Sequence, residues 1–342
     1  MEYMLLLLSV VISFLCVIYS TPKFIAFLTA AGITGIDIQK KKKPVVPEMG
    51  GPAAATGFLM SIFIYIWFEV FWLKEDGEIG LILSGTVAIL IALLVGMFDD
   101  LSTLTKKAKK DTFGNMKRLG LAQWQKPLLT LPAAVPLMAI LAKRSVINLP
   151  FDGEINVGLL YPLVLIPIGI VGASNATNML AGLNGLEAGL GFITLFFMGI
   201  YGIINNAVAG TVIAFSFAFA LLGFLVYNWY PAKIFPGDSL TYTIGATIAV
   251  VAIVGRMEVF GACMFFLWFV ELFLKARMKF RAESSGKIQS DGTLKAPYTG
   301  IHSLTHIPMK LGRMKEWEVV LAILNTQLAL SIILIILFVW LG

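Results

Sequence analysis

Long apolar runs recur along the whole chain and limit what it can fold into. Hydrophobic residues make up 58 % of the sequence and charged residues only 13 %, whereas a soluble domain carries about 25 % charged residues. Many runs approach roughly 18 to 20 residues, the length of a helix that crosses a bilayer. The sequence therefore predicts an all-α polytopic membrane protein.

We count ten membrane-spanning segments, with ends accurate to a few residues. The first follows an acidic start and has no small-residue cleavage site, so we expect a retained helix and no signal peptide. The fourth carries three prolines, which neighbouring helices must accommodate. No repeat or soluble domain interrupts the series, so residues 1–342 are expected to form one domain. The ten segments are 3–20, 53–73, 79–97, 127–142, 157–173, 189–204, 208–227, 240–254, 259–275 and 318–341.

The basic residues predict the orientation of these segments. The odd-numbered loops, counted after each segment, hold 22 of the 26 Lys and Arg residues, and they include the three longest loops. By the positive-inside rule these loops are cytoplasmic and both termini lie outside. We expect an integral membrane protein, located in the plasma membrane if its source is a prokaryote, with its active site in cytoplasmic loops. The run Lys106–Lys110 is expected to bind anionic lipid.

A polar loop at residues 174–189 lies between two apolar runs. It contains Asn175, Asn178 and Asn184, three glycines and one acid, but no basic residue. Asparagine and glycine often form turns and helix caps, which is one explanation of the loop. The other is a ligand site, because amide oxygens suit Mg²⁺ and amide groups offer a donor and an acceptor to a nucleobase.

Two acids and a lysine mark the cytoplasmic ends of the third and fourth segments. Asp99 and Asp100 are adjacent, and their mutual repulsion favours a divalent metal or a lysine as a neutralising partner. A solvated helix end is the alternative. Lys126 lies where the second long loop enters the membrane, and its local sequence favours a side chain that extends to the interface.

Two further motifs lie near the last segments: one precedes the eighth segment, and the other lies in the loop between the ninth and the tenth. Asp238 follows a Pro-Gly turn and could cap the next helix, or hold a metal while Phe235 stacks on a base. His302 and His306 could share a helix face, although Pro308 opposes a helix there. Two histidines need further ligands to bind zinc, so zinc is not expected.

The polar residues of these loops lie on one predicted side of the membrane. Acidic oxygens, a metal and cations at a membrane surface suit phosphoryl chemistry on a charged substrate. A secondary transporter is the alternative class, but transporters place charged residues and broken helices near the bilayer midplane. Here the segments are nearly free of charge apart from Glu69, Glu271 and the segment ends. Cys16 and Cys263 lie in apolar runs, which excludes a disulfide framework.

The chain resembles the polyprenyl-phosphate sugar-1-phosphate transferases. The resemblance extends from Pro47–Gly51 to His302–His306 and includes the order of the motifs and the ten segments. The 175–189 loop is very similar to that of the eukaryotic and archaeal branch, whereas the bacterial cell-wall enzymes have aspartate at the positions of Ala181 and Asn184. The histidines are more similar to the bacterial motif. The resemblance implies transfer of a sugar 1-phosphate, N-acetylglucosamine 1-phosphate or that of another amino sugar, from a UDP-sugar to a polyprenyl or dolichyl phosphate.

The resemblance also implies roles for single residues. Asp238 and Asn178 are expected at a Mg²⁺ site, which Mn²⁺ could also occupy. Phe235 is expected to stack on uracil and Asn184 to hydrogen-bond the base, with Glu48 and Gly189 also contacting substrate. The expected partners are the UDP-sugar, the lipid phosphate and membrane lipids, with a homodimer left open and no nucleic acid. The expected catalytic residues are Asp99, Asp100, Lys126, Asn175, His302 and His306.

Overall fold

The architecture comes from a computed structural model, which describes residues 2–74, 77–105, 109–110, 116–117, 121–122, 124–149 and 153–340. Within these residues the chain is mostly helical. The helices are α1 Glu2–Ala30, α2 Gly51–Phe68, α3 Ile79–Thr105, α4 Gln125–Thr130, α5 Val135–Ile140, α6 Ile166–Thr177, α7 Leu186–Ile204, α8 Val208–Asn228, α9 Gly237–Val254, α10 Glu258–Met264, α11 Phe266–Ala276, α12 His306–Leu311 and α13 Glu316–Trp340. Short π-helical turns continue α2 and precede α6, at Glu69–Leu73 and Tyr161–Leu165, and a 3₁₀ turn, Leu131–Ala134, joins α4 to α5.

Each of the ten predicted segments overlaps one or more of these helices. Seven helices in the described part of the chain are long and apolar enough to cross a membrane, and α10 and α11 would form an eighth span, bent by 57°. The fifth predicted segment is a shorter apolar helix, Tyr161–Thr177. The fourth is divided among α4, the 3₁₀ turn and α5, because its prolines interrupt the regular helical hydrogen bonding. The seven long helices are α1, α2, α3, α7, α8, α9 and α13.

Helix α9 forms the centre of the fold. All of its residues from Ser239 to Val254 are buried, whereas α1 and α13 expose large apolar side chains on their outer faces. Apolar side chains that face outward suit lipid, and a helix that is apolar on all sides suits a protein interior. The N-terminal end of α9 carries Asp238, so the most buried helix leads directly to a candidate site residue.

Four two-stranded antiparallel hairpins in the described loops depart from a purely helical fold. They pair β1 Thr34–Ile36 with β2 Val45–Pro47, β3 Lys109–Lys110 with β4 Met116–Lys117, β5 Val146–Leu149 with β6 Gly153–Asn156, and β7 Lys287–Ile288 with β8 Leu294–Lys295. The first hairpin matters most for the site, because its turn and the residue after β2 both reach the central cavity.

Candidate active site

A cavity of about 260 Å³ lies at the N-terminal end of α9. The β1–β2 turn, the α6–α7 connection and the segment before α9 form its walls. Side chains from these distant parts of the sequence meet there because the hairpin packs against the segment before α9, with Phe235 N donating to Pro47 O at 2.7 Å. Five residues expected at the site line the cavity, namely Glu48, Asn178, Asn184, Phe235 and Asp238.

Lys126 joins two carboxylates beside this cavity. Its Nζ lies 2.7 Å from Asp99 Oδ2 and 3.0 Å from Asp238 Oδ2. Asp99 is fully buried, whereas the side chains of Lys126 and Asp238 are 21 % and 25 % exposed. Neither a solvated helix end nor a lysine extended to the membrane interface describes this arrangement. The lysine is the neutralising partner of Asp99 and Asp238, and its side chain keeps some exposure beside the cavity.

Asp100 has a different task from its neighbour Asp99. Its two oxygens accept hydrogen bonds from the backbone N–H groups of Asp238 and Ser239, at 2.7 and 3.0 Å. These are among the N–H groups that a helix leaves without an internal partner at its start. Asp100 therefore caps α9 from another helix. The alternative that Asp238 caps α9 is wrong, since the helix start has no cap from its own side chains.

Two asparagines of the 174–189 loop, Asn175 and Asn178, have different surroundings. Asn178 is the residue that follows α6, and it lines the cavity. Asn175 lies one turn earlier and does not line it; its Nδ2 donates to Thr130 Oγ1 at 3.2 Å and to Val171 O at 2.8 Å. Asn175 thus ties α6 to α4, next to the helix turn that carries Lys126.

Phe235 and Glu48 meet at a glycine of β1. A Cβ atom on Gly35 would lie 2.9 Å from Glu48 Oε2 and 3.2 Å from Phe235 Cδ2. A larger residue at this position would have to displace the carboxylate of Glu48 and the ring of Phe235. The half-buried aromatic ring is consequently held against the hairpin, on the wall of the cavity.

Asn184 is held by two carboxylates that the sequence analysis did not identify. Its backbone N–H donates to Glu316 Oε1 at 2.7 Å, and its side-chain Nδ2 donates to Asp37 Oδ2 at 3.0 Å. Lys40 bonds both acids, at 3.2 Å from Asp37 Oδ2 and in a direct contact with Glu316. The three partners come from the first hairpin and α13, so only the tertiary structure brings them together.

Three more cavity residues were missed by sequence analysis. Gln39, Glu187 and Asn228 are buried and line the cavity. Both polar side-chain atoms of Gln39, Oε2 of Glu187 and Oδ1 of Asn228 have no hydrogen-bond partner among the described residues. A buried polar atom without a partner costs about 1 to 3 kcal/mol, and such atoms gather where a ligand binds. Only Glu187 had a signal in the sequence, as the acid of the polar loop.

The two histidines and Gly189 lie away from the lining of this cavity. His306 begins α12, and His302 precedes that helix, so they do not share a helix face. His306 Nε2 donates to Glu283 O at 2.9 Å, while its Nδ1 accepts from the His302 N–H at 3.3 Å. Burial lowers the pKa of His306 to about 4. Gly189 lies within α7, where a Cβ would be 2.8 Å from Leu324 Cδ1.

The side chains that line the cavity fit magnesium in part. Asp238 and Asn178 offer carboxylate and amide oxygens, which Mg²⁺ prefers as ligands. Among the described residues, no three His, Cys, Asp or Glu side chains form a complete metal site. Mg²⁺ is commonly held by one or two carboxylates together with substrate phosphates and water. The residues present are sufficient for that kind of site.

Comparison with known proteins points to one family. The pattern of glycosyl transferase family 4 matches residues 82–256. A Saccharolobus solfataricus protein, provisionally named UDP-N-acetylglucosamine–dolichyl-phosphate N-acetylglucosaminephosphotransferase, is 35 % identical over 342 residues, covering 98 % of each chain. A Sulfolobus acidocaldarius protein with the same provisional name is 31 % identical over 336 residues, covering 97 % of this chain and 95 % of its own.

A more distant relative has a different transferred group in its name. The phospho-N-acetylmuramoyl-pentapeptide-transferase of Streptococcus mutans is 31 % identical over 256 residues, covering 72 % of each chain. The matched region contains the helices that bring Asp99, Lys126 and Asp238 together. These matches confirm the family expected from the motifs. The chain is a member of glycosyl transferase family 4.

Proposed function

We propose that this protein transfers N-acetylglucosamine 1-phosphate from UDP-N-acetylglucosamine to a polyprenyl phosphate of the dolichyl type. Two relatives that cover nearly the whole chain carry this activity in their provisional names. The observation that carries the proposal is the contact of Lys126 with Asp99 and Asp238 beside a cavity with an aromatic wall. A cationic group next to a nucleotide-sized cavity suits a nucleotide diphosphate donor.

The reaction is a phosphoryl transfer. An oxygen of the lipid phosphate attacks the β-phosphorus of the donor, the bond from that phosphorus to the bridging oxygen breaks, and UMP leaves with the bond electrons. A phosphate monoester has a second pKa of about 6, so the acceptor is mostly ionised at neutral pH. A strong general base is therefore not required. We propose a single displacement in which Asp99 orients Lys126 through their ion pair.

The remaining roles follow from the position of each group. Lys126 would bind phosphate oxygens, since its side chain is partly exposed and its ammonium contacts Asp238, which lines the cavity. Phe235 would stack on the uracil. Asp238 and Asn178 would hold Mg²⁺, or Mn²⁺ in its place. When bound, the ion offsets the negative charge of the diphosphate. Asp100 would act on the reaction only through the backbone at the start of α9.

The proposed site faces the cytoplasm, and all ten segments cross the membrane. The uneven placement of Lys and Arg supports this orientation, with both termini outside. The two shorter helical stretches, which include α4 and α6, would complete the ten spans. Their length is near the lower limit for a bilayer of about 30 Å.

Turnover by the purified protein tests the proposal. In detergent with Mg²⁺, UDP-N-acetylglucosamine and a polyprenyl phosphate, we expect release of UMP and formation of a lipid diphosphate sugar. Competition among UDP-amino sugars identifies the preferred donor. Uptake of substrate by proteoliposomes without release of UMP would instead indicate a transporter.

The metal assignment is tested with a matched pair of acids. Asp238→Ala is expected to abolish turnover, whereas Asp291→Ala, which changes an exposed acid in the last long loop, should leave it near the wild-type value. Chelation should stop the wild-type reaction, and Mg²⁺ or Mn²⁺ should restore it. Wild-type turnover by Asp238→Ala would show that the metal assignment is wrong.

A further inference from the structure

The side-chain amide of Asn184 can take only one orientation. Its Nδ2 donates to Asp37 Oδ2 at 3.0 Å. The Lys40 ammonium lies 3.2 Å from the same oxygen as its ion-pair partner, and a carboxylate accepts hydrogen bonds and cannot donate one. If the amide turned by 180°, Oδ1 would face this carboxylate and two acceptors would oppose each other. One N–H of the amide is therefore committed to Asp37, and this bond fixes the position of Oδ1.

This orientation decides what Asn184 can offer to a ligand. Its Oδ1 accepts no hydrogen bond from the residues that the structure describes, and Asn184 lines the cavity. The residue accordingly holds its Oδ1 acceptor at a fixed position, next to the second N–H of the amide. Phe235 lines the same cavity, so a base stacked on its ring lies among these polar side chains.

We propose that Asp37 makes the site selective for uracil over cytosine by fixing the Asn184 amide with its oxygen toward the base. Uracil carries an N3–H donor, which pairs with that oxygen, whereas N3 of cytosine is an acceptor and would oppose that oxygen as a second acceptor. The inference rests on the proposed function, because it assumes a pyrimidine nucleotide in this cavity. Asp37 acts here as a positioning residue.

The surroundings of Asp37 keep it in place. Asp37 and Asn184 are both buried, at 4 % exposure each. Asp37 Oδ1 accepts the Gln39 N–H at 3.1 Å, so both carboxylate oxygens are used. Lys40 also bonds Glu316, whose other oxygen accepts the backbone N–H of Asn184. A rigid network of this kind can discriminate between bases, since the amide cannot turn to suit the wrong one.

Binding of UMP and CMP to the purified full-length protein tests this inference. For the wild-type protein we expect UMP to bind at least about tenfold more tightly than CMP, because the wrong base leaves a buried acceptor unpaired. Asp37→Ala frees the amide to turn, and the ratio of the two dissociation constants should fall to about threefold or less. Asp37→Asn retains the size of the side chain and admits both amide orientations, so it should reduce the ratio to a smaller extent.

Glu316→Ala is the matched control. It also removes a carboxylate that bonds Lys40 and Asn184, but it touches only the backbone of Asn184. We expect weaker binding of both nucleotides with an unchanged ratio. An unchanged ratio in both Asp37 variants, or an equal loss of ratio in Glu316→Ala, overturns the inference.

The outcome also separates this inference from the proposed function. Turnover of UDP-N-acetylglucosamine together with an unchanged UMP to CMP ratio in the Asp37 variants refutes the role of Asp37 alone. Absence of both turnover and UMP binding in the wild-type protein refutes the proposed function, and the inference with it.

Discussion

Two lysines each bind a pair of carboxylates around the cavity. Lys126 bonds Asp99 and Asp238, and Lys40 bonds Asp37 and Glu316. In both cases at least one acid is almost fully buried, so removing the lysine would leave an uncompensated buried charge. These ion pairs are therefore expected to position the loops around the site, whatever their net contribution to the free energy of unfolding.

Gly35 permits the close contact between the hairpin, Glu48 and Phe235. In Gly35→Ala the new Cβ would displace both side chains, since it would lie 2.9 and 3.2 Å from them. We expect a roughly tenfold weaker affinity for UMP, which corresponds to about 1.4 kcal/mol. The measurement is UMP binding by calorimetry. Gly172→Ala is the control, because its Cβ would meet no atom within 4 Å, and equal losses in both variants would refute the argument.

His306 makes folding sensitive to acid. Its pKa is lowered to about 4 by burial, whereas an unfolded histidine titrates near 6.5. The unfolded state thus takes up a proton first as the pH falls below about 6.5, and the folded state loses relative stability until about pH 4. Between pH 7 and pH 5 the free energy of unfolding should fall by about 2 kcal/mol.

Thermal unfolding in detergent at the two pH values measures this effect. His306→Gln keeps a donor for Glu283 O but does not titrate, so the difference between pH 7 and pH 5 should be smaller in that variant. His302, Lys275 and Lys310 are the nearby groups whose positive charge also opposes protonation of His306. An equal pH dependence in wild type and variant would contradict the assignment to His306.

At the scale of whole helices, the contact of α3 with α9 positions Asp99 and Asp100. Gly96 of α3 packs against the backbone of α9, where a Cβ would lie 2.5 Å from Asp238 O and from Ser239 Cα. This approach allows Asp100 to cap α9 and Asp99 to reach Lys126. The two helices therefore act as one unit in placing the carboxylates.

Gly96→Ala should separate these helices. Backbone atoms cannot move aside as a flexible side chain can, so we expect a loss of about 1 to 3 kcal/mol in the free energy of unfolding together with a large loss of turnover. Thermal unfolding and UMP release measure the two effects. Gly80→Ala, in the same helix, would meet only the end of Ile140 at 3.2 Å and should be much milder. Equal stability and turnover in both variants would contradict the role of this contact.

For the whole molecule, the orientation in the membrane is the principal prediction. Cysteines introduced at Lys41 and Lys143 would lie on opposite sides, and both lysines are exposed. After replacement of Cys16 and Cys263, a membrane-impermeant thiol reagent should label Lys41→Cys only in inside-out vesicles and Lys143→Cys only in right-side-out vesicles. Labelling of both positions from one side would refute the orientation.

Four predictions from the sequence concern the domain organisation, the oligomeric state, the partners and lipid binding. The single domain over residues 1–342, the homodimer and the absence of a nucleic-acid partner stay predictions. The run Lys106–Lys110, for which lipid binding stays a prediction, lies outside the described residues apart from the backbone of β3.

The sequence by itself determined the membrane class, the position of the helical segments and the family. Apolar runs and basic loops are local features, and membrane helices satisfy their own backbone hydrogen bonds, so these properties need no knowledge of distant contacts. The motif residues Glu48, Asn178, Asn184, Phe235 and Asp238 were also found from sequence, and they meet at one cavity.

The tertiary structure alone decided which task each polar residue has. Lys126 and Asp238 are 112 residues apart in sequence, and Asn184 and Asp37 are 147 apart. Adjacent acids separate because Asp99 faces Lys126 while Asp100 faces the backbone of α9. Charge pairing and hydrogen-bond direction depend on distance and orientation in space, and no local pattern encodes them. For that reason Asp37, Gln39 and Glu316 could not be recognised before the fold was known.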